Sequence, residues 1–371
     1  MGLLDHYRQF AGMSDEEVSE QLREQAEERR RRALARIETL DLSRTTWHEL
    51  PHPEVVAAVT HAARGALNVA PDPTAEELRR ELSRRNGVEP ERVAVGHGAA
   101  QLLAAAARAL LEEPGDELLT PWPSYGLYPV MAQRAGARAV PVPGGFDVER
   151  LLATVTPATR AIALCNPNDP TGEHLTSRSL RELLDVLPER VSLLLDEALT
   201  EFVTAEGQGA TLSLLDDHPR LLIFRSFSKA YGLAGLRVGY ALGGPGSEEL
   251  LARLAPELGV GLPAQIGALI ALRRCDGQLA QRRAAVAAER TRLLDALHEL
   301  PLDAAPSEAN VMWLAPTGLS GGELAVRLQR NGVLVQSGIG VGDERHVRVT
   351  LQSAPATDRL LDALRTALGA A

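Results

Sequence analysis

Apolar and polar residues follow two different patterns through the middle of the chain. Short runs that are apolar almost throughout, such as R160-A-I-A-L-C165, V191-S-L-L-L-D196 and R220-L-L-I-F-R-S226, alternate with segments of helical spacing such as S177-R-S-L-R-E-L-L-D-V-L187. This alternation predicts parallel βαβ units, because helices that cover both faces of a sheet leave its strands apolar on both sides. The middle of the chain is therefore predicted to be an α/β domain.

Helical patterns precede this region. Ser14 and Glu17 have the spacing of a capping box, and apolar residues recur at helical intervals from Val18 to Ile37, which predicts a helical arm. Two further helices are predicted over Pro53–Ala66 and Thr74–Asn86, the second capped by Thr74 with Glu77.

The patterns divide the chain into three parts. We predict an N-terminal helical arm over residues 1–45, a large α/β domain over 46–245, and a small C-terminal domain over 246–371. The last part opens with a long helical stretch, Ser247 to Leu300, followed by two strand-like runs, NVMWLA and HVRVTL, and a final helix.

Net charge, cysteine content and the hydropathy of the chain argue against several classes of function. The formal net charge of −10 argues against nucleic acid as a partner, and only two cysteines, with no metal-type spacing, are present in the 371 residues. The N-terminus lacks a basic region followed by an apolar one, and no window approaches the length of a membrane span. We therefore expect a cytoplasmic protein with no metal site and no membrane or nucleic-acid partner.

The residues that follow the predicted strands bring several reactive groups together. Ligands of open α/β sheets bind beyond the carboxyl ends of the strands. At those positions lie Lys229, the carboxylate of Asp196, the ring of Tyr125 and the turn N166-P-N-D-P-T-G172. Such a set suits a flat, anionic, nitrogen-containing ligand that carries a phosphate.

Lys229 lies among apolar residues and glycines, surroundings that lower the pKa of an amine and make it a nucleophile toward a carbonyl. Asp196 ends an apolar strand, so a buried carboxylate there needs a partner such as a protonated ring nitrogen. Hydroxyls, a guanidinium and the amides of a helix start can converge on a phosphate: Ser226, Ser228, Arg237, Ala99 and Ala100. Tight packing of helix on sheet is the alternative explanation for the small residues.

The segment S226-F-S-K-A-Y-G-L-A-G-L-R-V-G-Y240 resembles the most specific motif of the fold-type I pyridoxal-phosphate enzymes. It is similar in particular to the class I and II aminotransferases near histidinol-phosphate aminotransferase. D196-E-A, the N-P-x-x-P-T-G turn and the late H346-V-R-V-T350 occur in the same order as in that family, and the resemblance runs from roughly Asp41 to Leu351. It implies a large domain with a mostly parallel central sheet covered by helices, a smaller C-terminal α+β domain, and a homodimer.

The resemblance also implies a role for each candidate residue. Lys229 would form an internal aldimine with pyridoxal 5'-phosphate, Asp196 would hold the pyridinium proton, and Tyr125 would stack on the ring. Asp169 occupies the family's position beside the phenolic oxygen of the cofactor, and Arg348 would bind the substrate α-carboxylate. The phosphate would be bound by Ser226, Ser228, Arg237 and the amides of Ala99 and Ala100.

These roles imply an aminotransferase that moves an amino group between an amino acid, or a related amine, and a keto acid. A lyase, decarboxylase or oxidase that depends on the same cofactor is the alternative, since Lys229 and Asp196 support those outcomes as well. Arg348 favours transamination because it grips the carboxylate that a decarboxylase removes. A cofactor-binding regulator without activity is disfavoured by the presence of all three residues.

The chain departs from the family where the phenolic oxygen is bound. Asp169 replaces the usual asparagine and Leu199 replaces the usual tyrosine, so that both usual donors to one oxygen are missing. An ionised aspartate would repel a phenolate, so either Asp169 is protonated, the phenol keeps its proton, or the carboxylate points elsewhere. Asp169 also suits an Asx-type turn before Pro170.

Three further departures concern the substrate and the dimer. Ala70 replaces a tyrosine that often reaches the neighbouring cofactor's phosphate. Gln336 replaces an arginine of histidinol-phosphate enzymes, which argues against that substrate. The segment D41-L-S-R-T-T-W47 replaces the usual N-E-N-P run, and its Arg44 and Trp47 are either readers of a different side chain or ordinary surface and packing residues.

Overall fold

The computed structural model describes residues 39–369 together with positions 14, 17, 19, 20, 23 and 24. The Ser14 amide donates to Glu17 Oε2 at 2.8 Å, and the Glu17 amide donates to Ser14 Oγ at 3.4 Å. The predicted capping box is therefore present. The apolar positions of the predicted arm, from Val18 to Ile37, lie outside the described residues.

Strands and helices alternate through the predicted large domain. The elements in chain order are β1 (Leu40–Asp41), α1 (Pro53–Ala66), α2 (Glu76–Asn86), β2 (Val93–Gly96), α3 (Ala99–Leu110), β3 (Glu117–Trp122), α4 (Leu127–Arg134), β4 (Arg138–Pro143), α5 (Val148–Thr154), β5 (Thr159–Cys165), α6 (Ser177–Val186), β6 (Ser192–Asp196), β7 (Leu221–Ser226) and β8 (Gly239–Gly243).

The remaining elements form the C-terminal part. They are α7 (Glu248–Leu254), α8 (Leu262–Arg274), α9 (Asp276–Leu297), β9 (Leu302–Ala304), β10 (Val311–Pro316), α10 (Gly321–Arg330), β11 (Val333–Leu334), β12 (Gln336–Ser337), β13 (Val347–Thr350) and α11 (Ala354–Leu368). The long helical stretch predicted after Ser247 is thus three helices.

Seven strands form the central sheet in the order β2-β8-β7-β6-β5-β3-β4. The neighbours from β7 to β4 are parallel, whereas β8 is antiparallel to both β2 and β7. Successive side chains of a strand point to opposite faces of a sheet. The central strands are apolar and buried on both of these faces. Leu193 and Leu195 join one apolar cluster and Leu194 joins another. The prediction of a mostly parallel sheet covered by helices is confirmed.

A smaller antiparallel sheet, ordered β12-β13-β10-β9, carries the C-terminal core together with α9, α10 and α11. Strand β1 pairs in parallel with β11, so that residues 40–41 attach to this C-terminal part. The domain boundaries at 45/46 and 245/246 stay predictions. Among the described residues no helix is long and apolar enough to cross a bilayer.

The predicted cap of α2 is wrong. The helix begins at Glu76, and its first turn is capped by Asp72, whose Oδ2 accepts from the Glu76 amide at 2.7 Å. Thr74 instead donates its hydroxyl to Asp72 Oδ1 at 2.8 Å. Asp72 caps the helix in place of Thr74, because its two carboxylate oxygens accept from the Thr74 and Glu76 amides at the same time.

Candidate active site

The carboxyl ends of β3, β5, β6 and β7 meet beside the start of α3 and form a cavity of about 160 Å³. Because these strands are parallel, residues far apart in sequence arrive at the same edge of the sheet. The cavity is lined by every predicted site residue except Arg348: Lys229, Asp196, Tyr125, Asp169, Ala99, Ala100, Ser226, Ser228 and Arg237.

A second, larger cavity of about 570 Å³ adjoins the first. Arg348, on β13, lines this second cavity together with Trp313 and Gln336. Lys229, Asp169 and other residues line both cavities, so the amine of Lys229 lies where the two spaces meet. The structure therefore brings all the predicted residues into one continuous site.

Lys229 follows β7 in the loop that leads to Arg237. Its Nζ donates a hydrogen bond to Oγ1 of Thr45, a buried residue of the segment that departs from the family pattern. Desolvation lowers the pKa of Lys229, while the charge of Asp169 acts in the opposite direction. The balance favours a neutral amine at lower pH than in water, as a base or nucleophile requires.

Asp196, at the end of β6, is held by two hydrogen bonds. Its Oδ2 accepts from the hydroxyl of Tyr128 at 2.9 Å, and its Oδ1 accepts from the Ala198 amide at 3.0 Å. Burial raises the pKa of Asp196 to about 6, and both hydrogen bonds oppose that rise by stabilising the carboxylate. A carboxylate fixed in this way suits a cationic nitrogen in the adjoining cavity.

The start of α3 provides an anion site. Gly98 begins the helix without a side-chain cap, so the first backbone amides of α3 are open to a ligand. Arg237 lies against this glycine, since a Cβ at Gly98 would come within 2.8 Å of Arg237 Nη2, and Gly98 has a φ of +86°. Arg237 Nη1 also donates to Ser228 Oγ at 3.2 Å. This donor set and its glycine cradle fit the phosphate of the implied cofactor.

The N166-P-N-D-P-T-G172 turn forms one wall of the site and is held by its two asparagines. Asn166 exchanges hydrogen bonds with the backbone of Leu175 at 2.8 and 2.9 Å. Asn168 accepts from the hydroxyl of Ser124 at 2.7 Å and donates to the carbonyl of Pro123 at 2.9 Å. Both amides are buried, so the network fixes the turn against the loop that carries Tyr125.

The Asp169 carboxylate points toward Arg348. Arg348 Nη1 donates to Asp169 Oδ1 at 2.5 Å, and Arg348 Nη2 donates to the Ser43 carbonyl at 2.5 Å. Of the alternatives left open by the sequence, this contact agrees with a carboxylate that points elsewhere, namely toward Arg348. Leu199, at 1% exposure, lines the cavity with an apolar side chain and supplies no donor.

Burial and the charge of Asp196 raise the pKa of Tyr125 to about 12, which keeps its hydroxyl protonated at neutral pH. Its ring meets Tyr128 edge-on with centroids 5.4 Å apart. The stacking role predicted for Tyr125 stays a prediction.

Two residues that contact the predicted groups were missed at the level of sequence. Tyr128 lies three residues after Tyr125 in P123-S-Y-G-L-Y128, and this spacing on a helical turn was an available signal. Thr45 had no such signal, because 184 residues separate it from Lys229.

The structure separates the roles of Trp47 and Arg44. Trp47 packs on Phe202 with ring centroids 6.2 Å apart, and the Arg282 guanidinium lies 4.7 Å from its ring. Arg44 is 79% exposed at the rim of the larger cavity, where Gln336 also lies. In the part of the chain that is described, no group of three or more potential metal ligands occurs.

Comparison with known proteins assigns this chain to a family. The sequence profile of the family described as aminotransferase class I and II matches residues 16–367. The aromatic amino acid aminotransferase of Corynebacterium efficiens is 38% identical over 84% of this chain and 89% of that protein. The enzyme of the same name from Cutibacterium acnes is 36% identical over 86% of this chain and 89% of its own length.

The fold comparison agrees. Histidinol-phosphate aminotransferase from Sinorhizobium meliloti, solved in complex with pyridoxal-5'-phosphate, superposes with a TM-score of 0.81 at 27% identity, covering 92% of this chain and 94% of that one. The predictions of family, fold class and aminotransferase activity are confirmed. This chain belongs to the class I and II aminotransferases.

Proposed function

We propose that this aminotransferase depends on pyridoxal 5'-phosphate and takes amino donors with an aromatic side chain. The observation that carries the proposal is the position of Lys229, whose amine lies where a cavity with phosphate donors meets a larger cavity lined by Arg348. The same amine can then bind the cofactor in the smaller cavity and exchange a proton with the substrate in the larger one.

The smaller cavity would hold the cofactor. Lys229 would attach it, Asp196 would accept a hydrogen bond from its protonated ring nitrogen, and Tyr125 would pack on its ring. Its phosphate is bound by Ser226, Ser228, Arg237 and the amides of Ala99 and Ala100. When bound, the cofactor would supply an electron sink for the broken Cα–H bond. Lys229 takes that proton and later returns it, a role that its lowered pKa supports.

The larger cavity would hold the substrate. Arg348 binds its carboxylate, and the side chain lies among apolar groups such as Leu127, Val341 and the ring of Trp313. An aromatic side chain suits these walls, and the names of the two curated relatives support the same class of substrate. Gln336 at the rim offers no positive charge for a substrate phosphate.

The test is a comparison of amino donors. Holoenzyme is incubated with 2-oxoglutarate and with phenylalanine, tyrosine, tryptophan, aspartate or histidinol phosphate, under air and under nitrogen. We expect the aromatic donors to give keto acid and glutamate equally under both gases. A preference for aspartate or histidinol phosphate would contradict the substrate class. Oxygen uptake or carbon dioxide release would point to the oxidase or decarboxylase chemistry of related enzymes.

We also propose that the chain acts in the cytoplasm as a homodimer. Support for a dimer comes from large apolar side chains exposed around α1 and the loop before α8: Leu50, Val56, Leu67, Val69 and Leu258. Apolar groups that are 44–86% exposed favour burial against a second copy. Sedimentation equilibrium should give twice the mass of the chain, and Leu258→Asp should weaken that association.

A further inference from the structure

The cation proposed to bind the substrate carboxylate already has a carboxylate partner within the protein. Asp169 and Arg348 form a short ion pair, with Nη1 and Oδ1 2.5 Å apart, and their side chains are only 10% and 13% exposed. The Ser43 carbonyl accepts from the other terminal nitrogen of Arg348 at 2.5 Å. The guanidinium is therefore balanced in charge and bonded at both ends before a substrate enters.

The third nitrogen of the Arg348 guanidinium has no hydrogen-bond partner among the described residues. Its Nε is buried and makes no hydrogen bond in the described structure. A substrate carboxylate that approaches Arg348 would consequently meet a partly satisfied guanidinium. It would also lie close to a second carboxylate of the same charge, because Asp169 lines the same cavity as Arg348 and Lys229.

This arrangement changes the cost of binding two kinds of ligand. A buried arginine without a partner is unfavourable, so a site with an unpaired arginine favours ligands that carry a carboxylate over ligands that lack one. Here Asp169 supplies the missing partner, so a ligand without a carboxylate leaves no buried charge unbalanced. A ligand with a carboxylate, in contrast, has to compete with Asp169.

We propose that Asp169 is a specificity-determining residue that acts as an internal carboxylate for Arg348. It weakens the selection for an α-carboxylate and allows primary amines without one to act as amino donors. The inference rests on the proposed role of Arg348 as the carboxylate binder. Asp169 contacts Arg348 directly, so its effect on selectivity depends on that guanidinium.

Two ligands that differ only by the carboxylate measure the effect. L-Phenylalanine and 2-phenylethylamine are compared as donors by the ratio of their kcat/KM values, so that changes in cofactor chemistry common to both donors cancel. In Asp169→Asn the ratio should rise by about tenfold or more in favour of phenylalanine, since a charge within about 4–6 Å shifts a carboxyl equilibrium by one to three powers of ten. An unchanged ratio would overturn the proposal.

A measurement without turnover gives an independent readout. 3-Phenylpropionate carries the carboxylate and the ring but no amine, and its dissociation constant from the holoenzyme is measured by calorimetry. It should bind Asp169→Asn about tenfold more tightly than the natural protein, which corresponds to about 1.4 kcal/mol. Equal affinity for the two proteins would also count against the proposal.

A double-mutant cycle separates this inference from the proposed function. Arg348→Met should weaken 3-phenylpropionate binding, Asp169→Asn should strengthen it, and the two effects should not be additive because both change the same ion pair. If Arg348→Met leaves the affinity unchanged, the proposed role of Arg348 is wrong. If Arg348→Met weakens binding but Asp169→Asn alone does not strengthen it, that role stands and the inference about Asp169 fails.

Asp303→Asn is the matched control. Asp303 also pairs with an arginine of the C-terminal part, Arg345, at 3.1 Å, but both side chains are exposed. It should leave the donor ratio and the 3-phenylpropionate affinity unchanged. If Asp303→Asn raised the donor ratio or the 3-phenylpropionate affinity by a similar factor, the effect would be one of net charge rather than of the pair with Arg348. That result would overturn the proposal. Circular dichroism and thermal unfolding confirm that each variant is folded.

Discussion

The hydrogen bond from Tyr128 to Asp196 offers a sharp test of the site. Tyr128→Phe removes the hydroxyl that donates to Asp196 Oδ2 at 2.9 Å and leaves the buried ring in place. Asp196 would then keep only the donation from the Ala198 amide at 3.0 Å. The substitution therefore changes the electrostatics of one carboxylate with little change in packing.

The expected magnitude follows from the charge of the acceptor. A hydrogen bond to an ionised group contributes about 1.5–3 kcal/mol, which is roughly a factor of 10 to 100 in the ratio of ionised to neutral carboxyl. Burial already raises the pKa of Asp196 to about 6, and loss of the Tyr128 donor raises it further. The ionised form that pairs with a ring nitrogen is then reached only at higher pH.

The assay is a titration of apoenzyme with pyridoxal 5'-phosphate between pH 6 and pH 9, followed by the visible absorption of the bound cofactor. Because the pKa of Asp196 would rise from about 6 by roughly one to two units, Tyr128→Phe should bind the cofactor about 2- to 10-fold more weakly near pH 7 and recover most of the loss at pH 9. Tyr240→Phe, which removes another buried hydroxyl, from a residue on β8, is the control. Affinity within twofold of the natural protein at every pH, or an equal loss in Tyr240→Phe, would refute the reasoning.

Four further predictions test other parts of the structure. Lys229→Ala should abolish covalent attachment of the cofactor and lower kcat by about 10²–10⁴-fold or more, as seen by absorption and steady-state rates. Thr45→Val removes an acceptor for the Lys229 ammonium, so the pKa of Lys229 should fall and the acidic limb of the pH–rate profile should move to lower pH, whereas Thr45→Ser should keep the natural profile. Gly172→Ala should destabilise the protein by about 1–3 kcal/mol in urea unfolding, because its φ is +76° and a Cβ would collide with Ser307. Burial raises the pKa of Glu201 to about 7, so the stability that this raised pKa provides at low pH is lost as the pH rises through 7. The total change amounts to about 3 kcal/mol. In urea unfolding between pH 5 and pH 8, the free energy of unfolding of Glu201→Gln should therefore depend less on pH than that of the natural protein.

Much of the site was predictable because its residues belong to short local motifs. Lys229, Ser226, Ser228 and Arg237 lie within one segment of twelve residues, S226-F-S-K-A-Y-G-L-A-G-L-R237, whose spacing is unaffected by the rest of the fold. The position of Asp196 followed from the end of an apolar run, since a parallel strand delivers its last residue to the ligand edge of the sheet. Their convergence in one cavity agrees with that expectation.

The contacts of Asp169 and Thr45 were not predictable in the same way. Asp169 meets Arg348 across 179 residues and Thr45 meets Lys229 across 184 residues. The choice between a protonated aspartate, a protonated phenol and a carboxylate directed elsewhere depends on which cation lies within reach, and no local pattern contains that distance. The wrong cap at Thr74 has a related cause, because both Asp72 and Thr74 are residue types that cap a helix and only the backbone geometry selects between them.

The amino-acid order thus specifies the alternation of strands and helices, the reactive groups at the strand ends and the family, because periodicity and short motifs are local properties. Which of those groups touch is specified by tertiary contacts between the large α/β part, the C-terminal part and the segment that follows β1. These contacts place Arg348 against Asp169 and Thr45 against Lys229, and so set the charge balance of the substrate cavity. Electrostatic interactions depend on distance in space rather than along the chain. The pairing of these groups is therefore decided by the tertiary structure and not by any local sequence pattern.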